Sequence, residues 1–322
     1  MSLQNKFIQT DKVADRLTDA ALKQRLRPAY KQSLDAVRKD VAIFWEKYAK
    51  EGVLSIEDAA KYNRLANLEK NITKEMQRLG NQQVRITTAT IKDVYQESYY
   101  RVAFGVESEV QARLGFGELP TKQIEASVLN PLDRIGWPDR TREQLSVATR
   151  QIKEEITQGI IQGKSYSDVA ATVAEKTNMA VGRAERIVQT EAHRAREQGK
   201  KSSLEHAHNK GVEMQKVWVS TLDNETRDTH ADMDGQAVPV YNEDGEPGFF
   251  TSPEGFTAEY PGGFGVASED INCRCTTRGE IEGYSPEVRR TREDSLIDYK
   301  TYKEYAKEKG WPLKYKGPEP RV

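Results

Sequence analysis

Cys273 and Cys275 are the two cysteines of this chain, and a single residue separates them. His230 is the one histidine between Trp218 and Glu280. In a strand, residues i and i+2 face the same side, so two thiols at this spacing can point at one ion. His230 from a facing turn, with Asp232 or Asp234 as a fourth ligand, completes a donor set that zinc accepts in tetrahedral geometry. Such an ion pins the two ends of a loop of about forty residues, which a small module needs. His230, Cys273 and Cys275 are therefore candidate metal ligands and structural zinc is the candidate cofactor. The same residues fit a second reading, in which two reduced cysteines pack as small hydrophobes and His230 is hydrogen-bonded in the core. A direct Cys273–Cys275 disulfide is disfavoured, because an extended backbone holds the pair too far apart.

Catalytic chemistry fits the segment less well. His230-Ala231-Asp232 followed by Cys273-Arg274-Cys275 invites comparison with zinc deaminases, whose signature is H-x-E then P-C-x-x-C. Here Asp stands for the catalytic Glu, the cysteine spacing is one residue short, and Ile271-Asn272 precede Cys273. Each change misplaces a ligand or the proton shuttle. No Gly-rich phosphate loop, Walker motif or G-x-S-x-G elbow is present. The expectation is a protein that is not an enzyme, with a metal-dependent hydrolase or deaminase as the alternative. Arg227 lies beside Asp223, Asp228 and Asp232, a pattern that predicts an internal salt bridge ordering the turn. Trp218 is read as the core aromatic of this module.

The elements that must hold these residues are helical on one side and mixed on the other. Of 322 residues, 31% are charged and 37% hydrophobic, which suits long solvated helices around a modest core. Residues 221–282 hold 14 acidic and 3 basic side chains, a net of −11, so the remainder of this −1 chain sums to +10. An acidic module repels nucleic acid, so any DNA contact belongs elsewhere in the chain. The N-terminal sequence lacks a signal-like apolar run, and no stretch approaches a membrane span. Synthesis and folding in a cytoplasm are expected, with no membrane required.

Residues 1–115 read as a helical, elongated N-terminal region. One stripe runs Leu34, Val37, Val41, Phe44, Tyr48, the three-and-four stepping of a helix face. Ser55 with Asp58 suggests a capping box for a second helix that ends at Gly80. A third carries Val84 to Val102. Residues 116–139 are rich in Gly and Pro and read as a linker. Residues 140–212 form a helical segment: one helix to about Gly163, a short one from Ser165 or Ser167, and a longer one over Met179 to Asn209. The last has a basic side, Arg183, Arg186, Arg194, Arg196, Lys200 and Lys201, a candidate DNA-binding face as well as a solvated one. Residues 213–283 form a small acidic α+β module with strands at Met214–Val219, Gln236–Tyr241 and Asn272–Ile281. Asp223 is the expected N-cap of a helical turn between the first two. Residues 284–322 form a charged tail with one helix, Asp294–Lys309. The predicted class is mainly α with a small α+β C-terminal module.

Taken in order, Trp218, Asp223, Thr226-Arg227, His230, Asp234-Gly235, Pro261 and Asn272-Cys273-Arg274-Cys275 resemble the phage Mu F-like minor head proteins, the head-morphogenesis family of tailed bacteriophages. Arg183, Ile187-Val188, Thr190-Glu191 and Arg194 look like that family's helix ending in a Thr-Glu pair. The likeness covers roughly residues 140–282. It implies a structural virion protein present in several copies, made in the bacterial host and placed in the head interior or at the portal vertex. It implies partners as well: the portal protein, other head or scaffolding proteins, and double-stranded DNA in some cases. Trp218, Asp223, Arg227, His230, Asp234, Gly235, Asn272, Cys273 and Cys275 then form the core of the module. Glu191, next to Thr190, is expected to reach an arginine of that module and dock the two parts. A generic DNA-binding structural protein is the remaining alternative.

Overall fold

The computed structural model describes residues 2–119, 121–129 and 136–281, and in the tail 288–290, 296–298, 300–301, 304 and 307–308. Long helices come first: α1 Leu3–Ala20, α2 Arg27–Tyr48, α3 Ile56–Ala60, α4 Arg64–Val110, α5 Thr121–Leu129, α6 Trp137–Ile161 and α7 Tyr166–Asn209. A π-helical turn, Ala21–Leu26, joins α1 to α2. The smaller elements follow: β1 Met214–Val219, α8 Asp228–Asp232, β2 Ala237–Pro239, β3 Phe250–Thr251, β4 Thr257–Ala258, α9 Ala267–Asp270, β5 Thr276–Ile281, β6 Val288–Arg290 and β7 Leu296–Asp298. The predicted class, mainly α with a small C-terminal α+β part, is what forms. Among the described residues no helix is long and apolar enough to cross a membrane.

The chain makes two compact units, each discontinuous in sequence. Residues 19–89 and 135–188 form a purely helical unit. Its core takes Val37, Val41 and Phe44 from α2, Ile72, Met76 and Leu79 from α4, Leu145, Ile152 and Ile156 from α6, and Val169, Val173 and Val188 from α7. These positions recur at three and four residues, which turns one face of each helix inward. Polar groups inside are paired: the Tyr30 hydroxyl donates to Gln83 Oε1 at 2.7 Å.

The other unit holds residues 1–18, 90–134 and 189–322. Leu3 and Phe7 of α1, Val102 and Val106 of α4, Leu204 and Ala207 of α7, and Met214 of β1 make its main core. An antiparallel sheet of order β2-β1-β5 lies in this unit. Val219 pairs with Thr276, so the cysteines lie just before the start of β5. A second cluster, Trp218, Met233, Phe250, Cys273 and Cys275, is buried in the same unit. The five segments read from the sequence are continuous stretches, whereas both units interleave distant stretches, because α4 and α7 each supply residues to both.

Several helix boundaries differ from the periodicity reading. Gly80 does not end a helix: α4 runs through it for 47 residues. A Cβ at Gly80 would lie 3.1 Å from the Leu145 side chain, so this glycine serves packing, not termination. The predicted short helix after Ser165 and the long one from Met179 are one helix of 44 residues, since neither Gly nor Pro interrupts 166–181. Ser165 Oγ accepts the Asp168 N–H and caps it. The helix read from Ser55 to Gly80 is instead interrupted at Tyr62 and Asn63, both with positive φ. Residues 121–129 of the predicted linker form α5. In the tail, Leu296–Asp298 is a strand paired with β6, not part of a helix; the Ile297 side chain is β-branched and suits a ladder. Most of 294–309 lies outside the described residues.

Candidate functional site

The site is built where β1 runs out. Trp218 is fully buried at the end of that strand, edge-on to His230 with centroids 5.3 Å apart and to Phe250 at 5.4 Å. The next residue but one, Ser220, holds three elements together. Its Oγ receives Trp218 Nε1 at 3.2 Å and donates to the His230 carbonyl at 2.5 Å. Its N–H donates to Asp234 Oδ1 at 2.7 Å. The chain then turns at Gly235, whose φ of +81° lies in the region glycine enters without steric cost. The Gly235 N–H closes back on the Trp218 carbonyl at 2.9 Å.

The cysteine side is positioned by turns, not by a strand. β5 begins only at Thr276, so the prediction of a strand from Asn272 is corrected. Asn272 takes a φ of +58°, which Asn tolerates better than other side chains. The Cys273 N–H returns to the Asp270 carbonyl at 3.3 Å. Asp270 in turn accepts the N–H groups of Phe264 and Gly265 at 3.0 and 2.7 Å. Arg227 reaches across and donates to the carbonyls of Glu269 and Ile271. That replaces the expected salt bridge from Arg227 to Asp223, Asp228 and Asp232. Asp223 binds Arg274 instead, with Nη2 to Oδ1 at 2.8 Å. Its Oδ1 also accepts the Glu225 N–H at 3.0 Å, capping a turn ahead of α8 whose own N-cap is Arg227.

These turns bring His230, Cys273 and Cys275 together. His230 Nδ1 lies 3.6 Å from Cys273 Sγ and 3.5 Å from Cys275 Sγ. All three donor atoms fall within 4.8 Å of one another. The other ring nitrogen, Nε2, lies 2.8 Å from Glu269 Oε2. Two backbone N–H groups face the sulfurs: Thr221 toward Cys275, and Cys275 toward Cys273. Neither Asp232 nor Asp234 joins the cluster; Asp234 accepts the Ser220 N–H instead.

The electrostatics follow from burial and from these contacts. Burial pushes the Cys273 thiol well up. Burial works the same way on Cys275, but the Cys273 bond and the His230 charge outweigh it and hold Cys275 well below the usual thiol value. Burial lowers His230, yet the Cys275 sulfur and Glu269 overcome it and lift the imidazole to about 9. Glu269 is lowered by its hydrogen bond to His230. Sulfur, imidazole and carboxylate in a row have the order of a nucleophilic triad. All three are buried, with exposures of 1% for His230, 4% for Cys273 and 2% for Cys275. The deaminase comparison fails on placement too: Glu269 is spent on His230 Nε2, and Asp232 lies outside the cluster.

The basic side of the long helix is not a solvent-facing surface over its length. Arg183 and Arg186 are exposed and belong to the helical unit. Arg194, Arg196 and Lys200, at 4%, 7% and 0% exposure, are buried in the other unit. Lys200 Nζ binds Asp11, Glu197 Oε1 at 3.1 Å and Thr276 Oγ1 at 2.5 Å. Arg196 Nε binds Glu197 at 2.7 Å, and its Nη2 donates to the Cys275 carbonyl at 3.3 Å. Lys201 pairs with Glu205 and Glu259 at 3.1 and 2.9 Å. Three of the six candidate DNA ligands are therefore internal ion-pair partners, because a buried charge must be compensated within the fold.

Thr190 and Glu191 are buried on α7 in the unit that holds the module. Glu191 accepts Arg194 Nη1 at 3.2 Å, and Arg194 Nε donates to the Gly262 carbonyl at 2.9 Å. The connection to the module thus runs through an arginine of the same helix. Sequence reasoning missed Glu269, Asp270, Glu197 and Asp11. Glu197 had a signal, its three-residue spacing from Lys200. Glu269-Asp270 had only the presence of two acids ahead of the cysteines.

The comparisons fit this geometry. The family described as "Phage Mu protein F like protein" matches residues 150–278. Minor head protein GP7 of Bacillus phage SPP1 is 30% identical over 309 residues, 94% of this chain and 96% of that protein. A protein of Enterococcus faecalis named NAD(+)–arginine ADP-ribosyltransferase EFV is 28% identical over 306 residues. That match takes in 95% of this chain but only 61% of the relative's length. No solved structure matches the chain.

Proposed function

Because the chain belongs to the family of phage Mu F-like minor head proteins, we propose that this structural head protein works at the portal vertex. There it binds the portal protein and other head components during head assembly, DNA packaging or DNA delivery. The observation that carries the reading is the 30% identity to the SPP1 minor head protein over nearly the full length of both chains. The burial of His230, Cys273 and Cys275 favours a structural cluster over a catalytic one. In this reading the acidic module at 213–283 is a compact docking body, and the helical region supplies the protein contact.

The experiment is co-sedimentation of the purified chain with portal rings of the same phage. Coupled sedimentation at defined stoichiometry supports the reading. A folded chain that stays in the supernatant beside intact rings removes it. An enzymatic reading has one observation in its favour, the name of the second relative. The chain spans about three fifths of that protein, so the named activity is tested by incubating the chain with NAD and an arginine-bearing acceptor. Release of nicotinamide would replace the purely structural reading.

A further inference from the structure

The His/Cys cluster has a geometry that packing alone does not require. An imidazole nitrogen directs a single lone pair or a single N–H along one axis. Here one nitrogen lies at nearly equal distance, 3.5 and 3.6 Å, from two sulfurs. A tetrahedral zinc ion with bonds of about 2.3 Å to sulfur and about 2.05 Å to nitrogen sets S and N about 3.6 Å apart. The two observed N–S separations match that spacing.

The surroundings agree. A metal-bound histidine usually donates its second ring N–H to a carboxylate, which fixes the tautomer and aims the lone pair. His230 Nε2 makes that contact with Glu269 at 2.8 Å. Glu269 is itself held: Thr229 Oγ1 lies 3.4 Å away, and Arg227 donates to its carbonyl. Phe264 stacks on the imidazole at 6.0 Å and Trp218 closes the other edge.

We propose that His230 Nδ1, Cys273 Sγ and Cys275 Sγ bind one structural zinc ion, with Glu269 as the positioning residue that fixes His230. Two soft thiolates and an imidazole select zinc over magnesium or calcium. No fourth His, Cys, Asp or Glu joins them among the described residues, so the chain supplies an S2N set of three. Binding needs both sulfurs as thiolates and His230 neutral, with its remaining proton on Nε2 toward Glu269, and every proton displaced from the three ligands passes to solvent. The ion ties α8 to the turn before β5 and so closes the ends of the long intervening loop.

The test is elemental analysis of the purified full chain, followed by exchange of its metal for cobalt(II). About one zinc per chain is expected, absent from Cys273→Ser/Cys275→Ser. The cobalt form should show thiolate charge-transfer absorption and the intense visible bands of a tetrahedral site, lost on adding zinc. Glu269→Gln should keep the fold and the spectrum but weaken zinc binding by roughly 10- to 100-fold. The cobalt spectrum is read on the wild-type chain, so it decides even where the serine variant does not fold. A folded, reduced chain that takes up neither zinc nor cobalt overturns the proposal. So does a Cys273–Cys275 disulfide in freshly purified protein.

Discussion

Lys216 shows how one residue can report on the interior of the module. It lies on β1, fully buried, and donates to the carbonyls of Gly248 and Glu259 at 2.8 and 3.1 Å. Burial lowers its ammonium to about 8. The folded state therefore holds this proton less tightly than the unfolded chain, whose lysine titrates near 10.5. The cost is present in full below pH 8 and is relieved as pH rises from 8 toward 10.5. We expect the stability of the wild type relative to Lys216→Met to rise across that window by up to roughly 3 kcal/mol. Urea unfolding at pH 7.5, 9 and 10 measures it, and a constant difference would refute the assignment. At the same scale, Trp218→Ala should cost about 3–5 kcal/mol, because the ring touches His230, Phe250 and Phe264 together. Individual residues of this kind were legible in the sequence where type alone carries meaning: a lone Trp at a strand end, two cysteines with one histidine, Asp-Gly at a turn. Lys216, Glu269 and Asp270 were not, since a charged side chain in a single sequence reads as exposed until the fold supplies its partners.

The helices and strands hold together by close approach and by buried charge. At Gly199 a Cβ would meet the Tyr95 carbonyl at 2.5 Å, so α7 and α4 touch backbone to backbone there. Gly199→Ala should lower stability by about 1–3 kcal/mol through overpacking, visible as a drop in Tm without loss of helical signal. Beside it, Glu197 is fully buried and accepts Arg196, Lys200, Thr276 Oγ1 at 3.0 Å and the Thr277 N–H at 2.7 Å. Burial raises its pKa, but Lys200 and Arg196 prevail and lower it below the ordinary carboxylate value. Its stabilisation is thus complete above about pH 4.5 and is lost as pH falls through the depressed folded value. Wild type should lose stability between pH 4.5 and 3 more steeply than Glu197→Gln, whose side chain does not titrate; parallel urea midpoints would contradict this. Periodicity recovered the inward faces of α2, α4, α6 and α7, because one-sided burial writes itself in steps of three and four. It missed that Gly80 lies inside a helix, and it took Arg196 and Lys200 for a surface. Both errors have one cause: the partner, Leu145 in one case and Asp11 in the other, is far away in the chain.

For the molecule as a whole, charge is divided between an acidic stretch at 221–282, net −11, and a basic remainder. Of the six basic candidates on α7, only Arg183 and Arg186 are exposed. Any double-stranded DNA binding through these six side chains would therefore rest on two exposed contacts, which bounds the salt effect. Arg183→Gln/Arg186→Gln should flatten a plot of log K against log salt by at most about 2. Lys200→Gln should instead lower stability by about 3–5 kcal/mol, the cost of stranding buried partners. Measured DNA affinity that responds to Lys200 in a folded variant, and not to the arginines, would reverse this assignment. The class of the fold and the family were legible from composition and from the ordered motif residues. The interleaving of two units was not, because it depends on which distant stretches pack, and a linear reading draws boundaries only between neighbours.

That interleaving gives the protein a timetable. Thr276 Oγ1 and Asp11 meet across 265 residues of sequence. At a synthesis rate of about 5–20 residues per second, α1 leaves the ribosome on the order of ten seconds or more before β5 exists to receive it. The helical unit is complete in sequence by residue 188 and can close first. During the interval Phe7 and Asp11 have no β5 to pack against, so the amino-terminal helix of the nascent chain is the segment a chaperone or an assembling neighbour would meet.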